Sequence, residues 1–394
     1  MNELRFSERL DWRRPNNRLT RQWRKMTDAG IPVLDLTQSN PTKAALQYDA
    51  EEILAPLRQP GGLLYEPHPR GLHRAREAVA GYYAAKAIPV DPGRVLLTAS
   101  TSDAYGYLFK LFASPGDEIL APLPSYPLFE YLASLEGVRL RSYPLRYDGS
   151  WWIDLAALRE GITHRTRAVL AVSPNNPTGS YVKHREMAEL TEICARHGLP
   201  LIVDEVFADY ALDADPDQPA SALRHDSSLV IVLSGLSKLT GLPQMKLAWL
   251  AVNGPNAACQ QVVDRLELVA DMYLSVSTPV QHAAERWLRN RTNFQEQLTQ
   301  RLRGNLRFLR ESLRATPCDL LRVEGGWYAT VRLPRTTTEE EWAMTLLRED
   351  RTLVQPGYFF DFPSEPFIVI SLMTPPDEFP EGVMRLIQRV GVQG

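Results

Sequence analysis

Reactive side chains follow several short apolar runs of this chain, at the points where those runs end. Lys238 comes just after SLVIVLS, and Asp204 comes directly after LPLIV. The Asn-rich turn PNNPTGS follows RAVLAVS, and the hydroxyl cluster STS follows RVLLTA. A lysine at the end of a buried strand is costly unless it is paired, solvated or used. We therefore interpret Lys238 as a functional residue.

These four groups together match what pyridoxal phosphate requires of a protein. In open α/β sheets ligands bind beyond the carboxyl ends of the strands, so the groups should face one cleft. The cofactor requires a lysine that forms a Schiff base, a carboxylate that keeps its pyridine nitrogen protonated, and donors to its ring oxygen and phosphate. The hydroxyl cluster leads into a predicted helix, whose free N-terminal amides could bind phosphate. Such a cluster is also common as a plain helix cap, so both interpretations stay open.

The spacing of the apolar runs predicts an α/β fold. Short runs without polar alternation, separated by helical segments, are typical of strands buried on both faces of a mainly parallel sheet. After about residue 255 the pattern changes to long helices followed by the short strands GGWYATVRLP, TLVQPG and FIVISL. We therefore expect a large cofactor-binding domain over 46–279 and a smaller α+β domain formed by both termini, 1–45 and 280–394.

Composition and charge restrict the partners of the protein. Apolar residues make up 44% and charged residues 23% of the 394 residues, and the formal net charge is −3. This balance argues against a nucleic-acid or membrane partner. The three cysteines form no CxxC pair, and the charged N-terminus lacks the apolar core of a signal peptide. We expect a cytoplasmic protein whose seven histidines show no metal-ligand spacing.

Three segments of the chain resemble one enzyme family, the class I/II aminotransferases of pyridoxal phosphate fold type I. SPNNPTG is similar to that family's xPNNPTG turn, VDEVFADY to its DE-x-Y strand end, and SGLSKLTGLPQMKLAW to its S-x-SK-x-x-GLPG-x-R-x-G segment. The resemblance extends over about residues 31–375. It implies a seven-stranded, mainly parallel sheet and a homodimer with shared active sites. It also implies ping-pong transfer of an amino group between an amino donor and a 2-oxo acid.

The resemblance also implies a role for individual residues. Lys238 would carry the cofactor and shuttle the substrate proton, Asp204 would pair with the pyridinium nitrogen, and Asn176 would bind the phenolic oxygen. Tyr126 would stack on the ring. The implied phosphate ligands are Ser100, Thr101, Ser102, Ser237, Lys246 and, from the neighbouring subunit, Tyr65.

Four positions depart from the family pattern. Phe207 stands where the family usually has tyrosine, so one hydroxyl donor to the ring oxygen is missing. Gly235 replaces a phosphate-binding serine, and Lys246 replaces an arginine, giving a point charge without a bidentate fork. Val369 replaces the arginine that clamps the substrate's α-carboxylate. Losing such a clamp costs about tenfold to a few hundredfold in transition-state binding.

These departures leave the substrate and the reaction open. Arg70 and Arg332 are candidates to replace the missing arginine, or the substrate has no free α-carboxylate at that position. Phe207 and Val369 also favour an alternative reaction with the same cofactor, a β- or γ-lyase, a C–S lyase or a cyclising enzyme. A third hypothesis is a cofactor-binding regulator without enzymatic activity, but no helix-turn-helix module or basic arm precedes this domain.

Overall fold

The computed structural model describes residues 4, 6–10, 17–213, 217–364 and 366–393. The helices of this part are α1 Arg18–Asp28, α2 Ala50–Leu54, α3 His73–Ala84, α4 Thr101–Phe112, α5 Leu128–Leu135, α6 Leu155–Gly161, α7 His184–His197, α8 Leu236–Leu239, α9 Asn256–Asp271, α10 Thr278–Arg289, α11 Arg291–Leu313, α12 Glu339–Arg348 and α13 Phe379–Gln393. The strands are β1 Leu34–Asp35, β2 Val95–Thr98, β3 Glu118–Leu123, β4 Arg139–Tyr147, β5 Trp151–Ile153, β6 Thr166–Val172, β7 Leu201–Asp204, β8 Val230–Gly235, β9 Ala248–Asn253, β10 Asp319–Leu320, β11 Tyr328–Arg332, β12 Thr352–Leu353, β13 Gln355–Pro356 and β14 Phe367–Ser371.

A large sheet of eight strands forms the centre of the molecule, in the order β2-β9-β8-β7-β6-β3-β4-β5. The run from β8 to β4 is parallel, and β9 and β5 pair antiparallel with its two ends. β2 pairs antiparallel with β9 and therefore has the same direction as the parallel run. This confirms the predicted α/β fold with a mainly parallel sheet. The parallel strands reach the same edge with their carboxyl ends, so β6, β7 and β8 deliver their following loops to one place.

The apolar runs lack alternation because both faces of the sheet are covered. On β7, Leu201 and Val203 pack into one hydrophobic cluster, while Ile202 packs into another cluster on the opposite face. Successive side chains of a strand point to opposite faces, so a strand between two helical layers must be apolar at every position. The sequence pattern therefore predicts the buried layer correctly.

The large sheet differs from the sequence-based expectation of seven strands. The hairpin strand β5 adds an eighth strand beside β4. The run after Lys238 also contains a separate strand, β9, which pairs antiparallel with both β8 and β2. The pairing of both strands depends on distant segments, so local apolar spacing does not reveal them.

The smaller lobe contains the antiparallel sheet β10-β11-β14-β13, packed with α11, α12 and α13 around a separate apolar core. The short strand β1 pairs in parallel with β12, which attaches residues 34–35 to this C-terminal part. The exact domain boundaries stay a prediction. None of the helices described above is long and apolar enough to cross a membrane.

The two lobes meet at the turn that follows β6. The backbone amides of Glu324 and Gly325 both donate to the carbonyl of Gly179, at 3.1 and 2.9 Å. The buried Glu324 carboxylate binds the Lys183 ammonium and accepts a 2.9 Å hydrogen bond from the Tyr181 amide. These contacts fix the turn 174–180 against the segment that enters β11.

Candidate active site

Lys238 lies on the single helical turn α8, directly after the central strand β8. Its carbonyl oxygen accepts a 2.5 Å hydrogen bond from the Tyr210 hydroxyl. Its half-buried side chain places Nζ 4.8 Å from the ring centroid of Trp327 and 5.6 Å from that of Phe207. Within the part of the chain that the structure describes, Nζ makes no hydrogen bond or ion pair. The amine therefore lies between two aromatic rings, available to a ligand.

Burial lowers the pKa of Lys238 to about 8, although the negative charge of Asp204 acts in the opposite direction. Removal from water disfavours the charged ammonium, and this effect outweighs the attraction. A larger fraction of the amine is thus neutral near physiological pH than for an ordinary lysine. Only the neutral amine attacks a carbonyl, so this environment suits a Schiff-base lysine.

Asp204 ends β7, the strand next to β8, and its carboxylate is held in place by two donors. The Tyr105 hydroxyl donates to Oδ2 at 2.8 Å, and the backbone amide of Val206 donates to Oδ1 at 3.0 Å. Burial raises the pKa of Asp204, while these two hydrogen bonds and the Lys238 charge oppose the rise. A buried carboxylate of this kind is a strong partner for a cation that enters the site, such as a protonated ring nitrogen.

The turn after β6 presents Asn176 at the same edge of the sheet. The side chain of its neighbour Asn175 fixes the turn through three hydrogen bonds. Nδ2 of Asn175 donates to Pro124 O and to Thr178 Oγ1, and Oδ1 of Asn175 accepts from the Ser125 hydroxyl. Asn176 is 8% exposed, and its Oδ1 is buried with no hydrogen-bond partner among the described residues. An unpaired buried amide is costly, so its presence indicates a ligand that completes its hydrogen bonds.

Tyr126 lies close to this group, beside Phe129 at a ring-centroid distance of 5.9 Å. Burial raises its pKa, and the negative charge of Asp204 raises it further, which places Tyr126 within electrostatic range of that carboxylate. Tyr126 is still 43% exposed, which leaves it available to stack against a ligand.

The hydroxyl cluster lies at the N-terminus of α4, as expected. Ser100 is the N-cap residue, and its Oγ accepts a 3.1 Å hydrogen bond from the Asp103 amide. The capping interpretation thus holds for Ser100, while half-buried Thr101 and Ser102 follow in the first turn of the helix, and phosphate binding there stays a prediction. Thr101 shares a helix face with Tyr105 four residues later, and Tyr105 binds Asp204. The helix N-terminus is thus oriented toward the same cleft.

Two further predicted phosphate ligands differ in their surroundings. Ser237 is half-buried next to Lys238 on α8. Lys246 is exposed, with a left-handed backbone at φ 53°.

The missing serine at position 235 has a steric reason, because a Cβ there would lie 2.8 Å from the Cβ of Ala248 on the paired strand. The family pattern has serine at position 235 and glycine at position 248, whereas this chain has glycine at position 235 and alanine at position 248.

Tyr65 is not part of this group within one subunit. It is 80% exposed on the segment before α3 and lines a small cavity together with Leu274 and Ser275. Ser275 Oγ in turn accepts a 3.2 Å hydrogen bond from the amide of Ala99, next to the hydroxyl cluster. Tyr65 therefore lies on a surface that borders the N-terminus of α4.

The candidate substitutes for the missing arginine are engaged elsewhere. Arg70 pairs with Glu267 at 3.1 Å and donates to Gly93 O at 3.0 Å. Arg332 pairs with Asp319 at 3.2 Å on the small sheet. Neither shows a contact with Lys238, Asp204 or Asn176, so the structure gives no support to either as the carboxylate ligand.

Three residues around the site are not among the sequence-based predictions. Tyr105 orients Asp204, Trp327 flanks Lys238, and Tyr328 lies 6.4 Å from Phe207 between ring centroids. The helical spacing of Tyr105 from Thr101 is a signal that could have found it. Trp327 and Tyr328 enter from the small lobe, and no local pattern links them to Lys238.

These residues fit pyridoxal phosphate. A buried amine with a lowered pKa lies within electrostatic range of a buried carboxylate, and an unpaired amide and a helix N-terminus lie at the same sheet edge. No group of histidine, cysteine and acidic side chains that could hold a metal occurs among the residues described.

Comparison with known proteins gives an independent result. A model of the family "Aminotransferase class I and II" matches residues 31–386. The chain is 28% identical over 263 residues to glutamate-pyruvate aminotransferase AlaA of Escherichia coli K12, covering 66% of this chain and 65% of that protein. It therefore spans less than two thirds of the AlaA length. It is also 26% identical over 310 residues to human tyrosine aminotransferase, covering 77% and 68% of the two chains.

Solved structures share the fold. The alanine aminotransferase of Pyrococcus furiosus superposes with a TM-score of 0.89 at 23% identity, covering 98% of this chain and 100% of that one. The aspartate aminotransferase of Thermotoga maritima gives a TM-score of 0.86 at 20% identity, with coverage of 98% and 100%. Both the large sheet and the small lobe are thus those of fold type I, a pyridoxal phosphate-dependent fold.

Proposed function

Because this chain belongs to the class I and II aminotransferase family, we propose that it moves an amino group between an amino donor and a 2-oxo acid. Pyridoxal phosphate is the cofactor of this family and fold. In the overall reaction the donor passes its amino group and one hydrogen from Cα to the oxo acid and becomes a carbonyl compound. The water that supplies the new carbonyl oxygen is balanced by the water released when the oxo acid loses its own. The transfer is ping-pong, with donor and acceptor using one site in turn.

One observation carries this proposal: buried Asp204 and the low-pKa amine of Lys238 lie at the ends of neighbouring strands. When bound, pyridoxal phosphate supplies an aldehyde that condenses with amines and a protonated ring that withdraws electrons from Cα. Asp204 would hold the ring nitrogen's proton, and Tyr105 and the Val206 amide keep its carboxylate in place. Asn176, Tyr126 and the phosphate ligands named above would fix the remaining sides.

Lys238 is the base of both half-reactions. With a pKa of about 8, a useful fraction of its amine is neutral near pH 7 to 8. Nζ accepts the proton from Cα of the donor and later returns a proton to the carbon that becomes Cα of the product. The rings of Trp327 and Phe207, at 4.8 and 5.6 Å, exclude water from this amine and attract it while it is protonated.

An exposed apolar patch supports a homodimer with shared sites. The patch consists of Leu63, Leu64, Tyr65, Leu268, Met272 and Tyr273, all at least 53% exposed. It borders the phosphate end of the site, because the ring centroids of Tyr273 and Tyr107 on α4 are 5.2 Å apart. Apolar patches of this kind mark protein interfaces, and a second copy would bring its Tyr65 toward this site.

The second candidate is a lyase or cyclising enzyme with the same cofactor. It is favoured by Phe207 and Val369, which remove a ring-oxygen donor and a carboxylate clamp. A lyase would release ammonia with a 2-oxo acid, or sulfide from a sulfur-containing substrate, instead of passing the amino group on.

A half-reaction screen tests the proposed function. The cofactor-loaded protein is mixed with amino acids and amines, and conversion of the bound cofactor to its amine form is followed by loss of visible absorbance. Pyruvate and 2-oxoglutarate are then added, and recovery of the absorbance supports transfer. Release of ammonia or sulfide with no stored amino group would support the lyase instead.

Asp204→Ala provides the matched test of the ring-nitrogen partner. We expect the rate of cofactor conversion to fall by about two orders of magnitude or more. Without the carboxylate the ring nitrogen is no longer kept protonated, and an unprotonated ring withdraws electrons from Cα less strongly. Tyr105→Phe removes only one hydrogen bond to that carboxylate and should cost about tenfold or less. A normal rate in Asp204→Ala would show that the nitrogen has another partner.

A further inference from the structure

Val369 lies on the side of the small sheet that faces the Asn176 turn. It pairs directly with Thr330 on β11 and with Gln355 on β13, and directly opposed residues share a face of the sheet. Thr330 Oγ1 lies 3.5 Å from the carbonyl oxygen of Pro177, the residue after Asn176. Tyr328, two residues before Thr330, shares this face and approaches Phe207 beside Lys238.

Two buried acceptor oxygens on this surface lack donors. Asn176 Oδ1 and Gln355 Oε1 are both buried and unpaired within the described part of the chain. If Asn176 donates its Nδ2 hydrogens to the cofactor's ring oxygen, Oδ1 must remain the acceptor on the other side of the amide. An N–H or O–H group of a ligand would give both oxygens the donor that they lack.

No free cation accompanies these oxygens among the described residues. Val369 itself is 0% exposed, and Arg70 and Arg332 are paired with acidic side chains away from the cleft. Arg301 approaches the segment after β14, but its guanidinium binds the carbonyl oxygens of Ala44, Ala45 and Met373. A carboxylate is an acceptor only, so at this place it would find two further acceptors and no countercharge.

We propose that the group next to the reacting carbon of the substrate is uncharged and donates hydrogen bonds, as in a primary carboxamide or an alcohol. The subsite is formed by Thr330, Gln355, Val369 and Asn176. This inference rests on the proposed function and names the substrate class of the same site. Because one site serves both half-reactions, the acceptor's amide should also react faster than the corresponding 2-oxo acid.

Equilibrium binding tests this inference without catalysis. The probes are four amines of the form (CH3)2C(NH2)–X, in which X is a carboxylate, a carboxamide, a hydroxymethyl or a methyl group. None has a hydrogen on Cα, so amino transfer that begins with loss of a Cα proton cannot proceed, and an assay for released CO2 checks that the carboxylate probe is not consumed. Dissociation constants for the cofactor-loaded protein are measured by calorimetry and by the change in cofactor absorbance.

We expect the carboxamide or the hydroxymethyl probe to bind at least tenfold more tightly than the carboxylate probe and at least threefold more tightly than the methyl probe. Equal or tighter binding of the carboxylate would overturn the inference. A methyl probe that binds as well as the carboxamide would also overturn it, since the unpaired oxygens would then contribute nothing.

Val369→Arg is the matched variant, and the methyl probe is the control for the change in side-chain size. The arginine should improve binding of the carboxylate probe at least tenfold relative to the methyl probe. If Val369→Arg does not fold, the wild-type order of the probes still decides the question.

The kinetic test separates this inference from the proposed function. L-Alanine, L-alaninamide and L-alaninol are compared as amino donors, and pyruvate and pyruvamide as acceptors. Faster reaction of the uncharged compounds supports the inference, and faster reaction of L-alanine overturns it. If no donor of any class converts the cofactor, the proposed function is wrong. The binding order of the four probes then still decides whether the subsite prefers an uncharged donor group.

Discussion

At the scale of single residues, the chemistry depends on how burial changes the protonation of the acidic and basic groups at the sheet edge. Asp204 and Glu205 are consecutive, yet their side chains point to opposite sides of the strand end. Asp204 interacts with Tyr105 and Lys238, whereas Glu205 accepts a 2.7 Å hydrogen bond from the Ala222 amide on the other side. The strand alternation thus separates the proposed cofactor partner, Asp204, from Glu205, which binds the backbone on the other side.

Lys238→Ala should abolish amino transfer, with a loss of at least about a thousandfold, because it removes both the Schiff-base amine and the general base. Some cofactor should still bind non-covalently through Asp204 and the phosphate ligands. Borohydride reduction followed by peptide mapping measures where the cofactor attaches in the wild type. Lys110→Ala serves as the control, and attachment to any lysine other than Lys238 would contradict the assignment.

Glu205 should make stability depend on pH. Burial raises its pKa in the folded protein from 4.5 to about 7, so the folded state holds this proton more firmly than the unfolded state. The resulting stabilisation is fully present below pH 4.5 and is lost as the pH rises through 7, by about 3 kcal/mol.

Urea unfolding at several pH values measures this effect. In Glu205→Gln the decline in the free energy of unfolding between pH 4.5 and 7 should be smaller by that amount than in the wild type. The exposed Glu77→Gln is the control and should change little. Parallel curves for wild type and Glu205→Gln would show that Glu205 is ionised in the folded protein at neutral pH.

At the scale of elements, the pairing of β8 with β9 explains one departure from the family pattern. Gly235 and Ala248 are directly paired, and a Cβ on Gly235 would come within 2.8 Å of the Ala248 Cβ and 3.0 Å of its Cα. The missing serine is therefore a consequence of the alanine opposite.

Gly235→Ser alone should destabilise the protein by about 1–3 kcal/mol through overpacking. In the double variant Gly235→Ser/Ala248→Gly, most of this clash is relieved, so the double-mutant cycle should give a favourable coupling of about 1 kcal/mol or more. Chemical denaturation of the four proteins measures the cycle. Additive effects would mean that the two side chains do not compete for the same space.

The helices and strands also show which parts of the fold can be predicted from the sequence. The parallel strands and the residues at their ends follow from local apolar runs and turn chemistry, and the structure contains them. The sequence does not predict the edge strand β5 or the strand β9 between β2 and β8. Their place depends on pairing with segments far away in the chain, which periodicity in one window does not encode.

At the scale of the whole molecule, the exposed apolar patch is the main prediction about assembly. Leu63 is 90% exposed and Met272 78% exposed, although both are large and apolar. The double variant Leu63→Glu/Met272→Glu should convert dimers to monomers, because it buries two like charges at the proposed interface. Sedimentation velocity measures the oligomeric state, and we expect weaker retention of the cofactor in the monomer.

Val392→Glu is the control for this variant, since Val392 is equally exposed at 78% but lies on the C-terminal helix. It should leave the oligomeric state unchanged. A wild-type protein that remains monomeric at micromolar concentration would contradict the proposed homodimer and would leave Tyr65 without a function in the site.

The sequence by itself determined the α/β fold, the family resemblance and the residues at the strand ends, because these depend on local periodicity and on short motifs. Only the tertiary structure decided that Tyr105 holds Asp204, 99 residues away, and that Trp327 flanks Lys238. It also decided that Val369 faces the Asn176 turn beside an unpaired Gln355 oxygen. These contacts join segments that are far apart in the chain. Local sequence patterns do not indicate which distant side chains are buried next to each other.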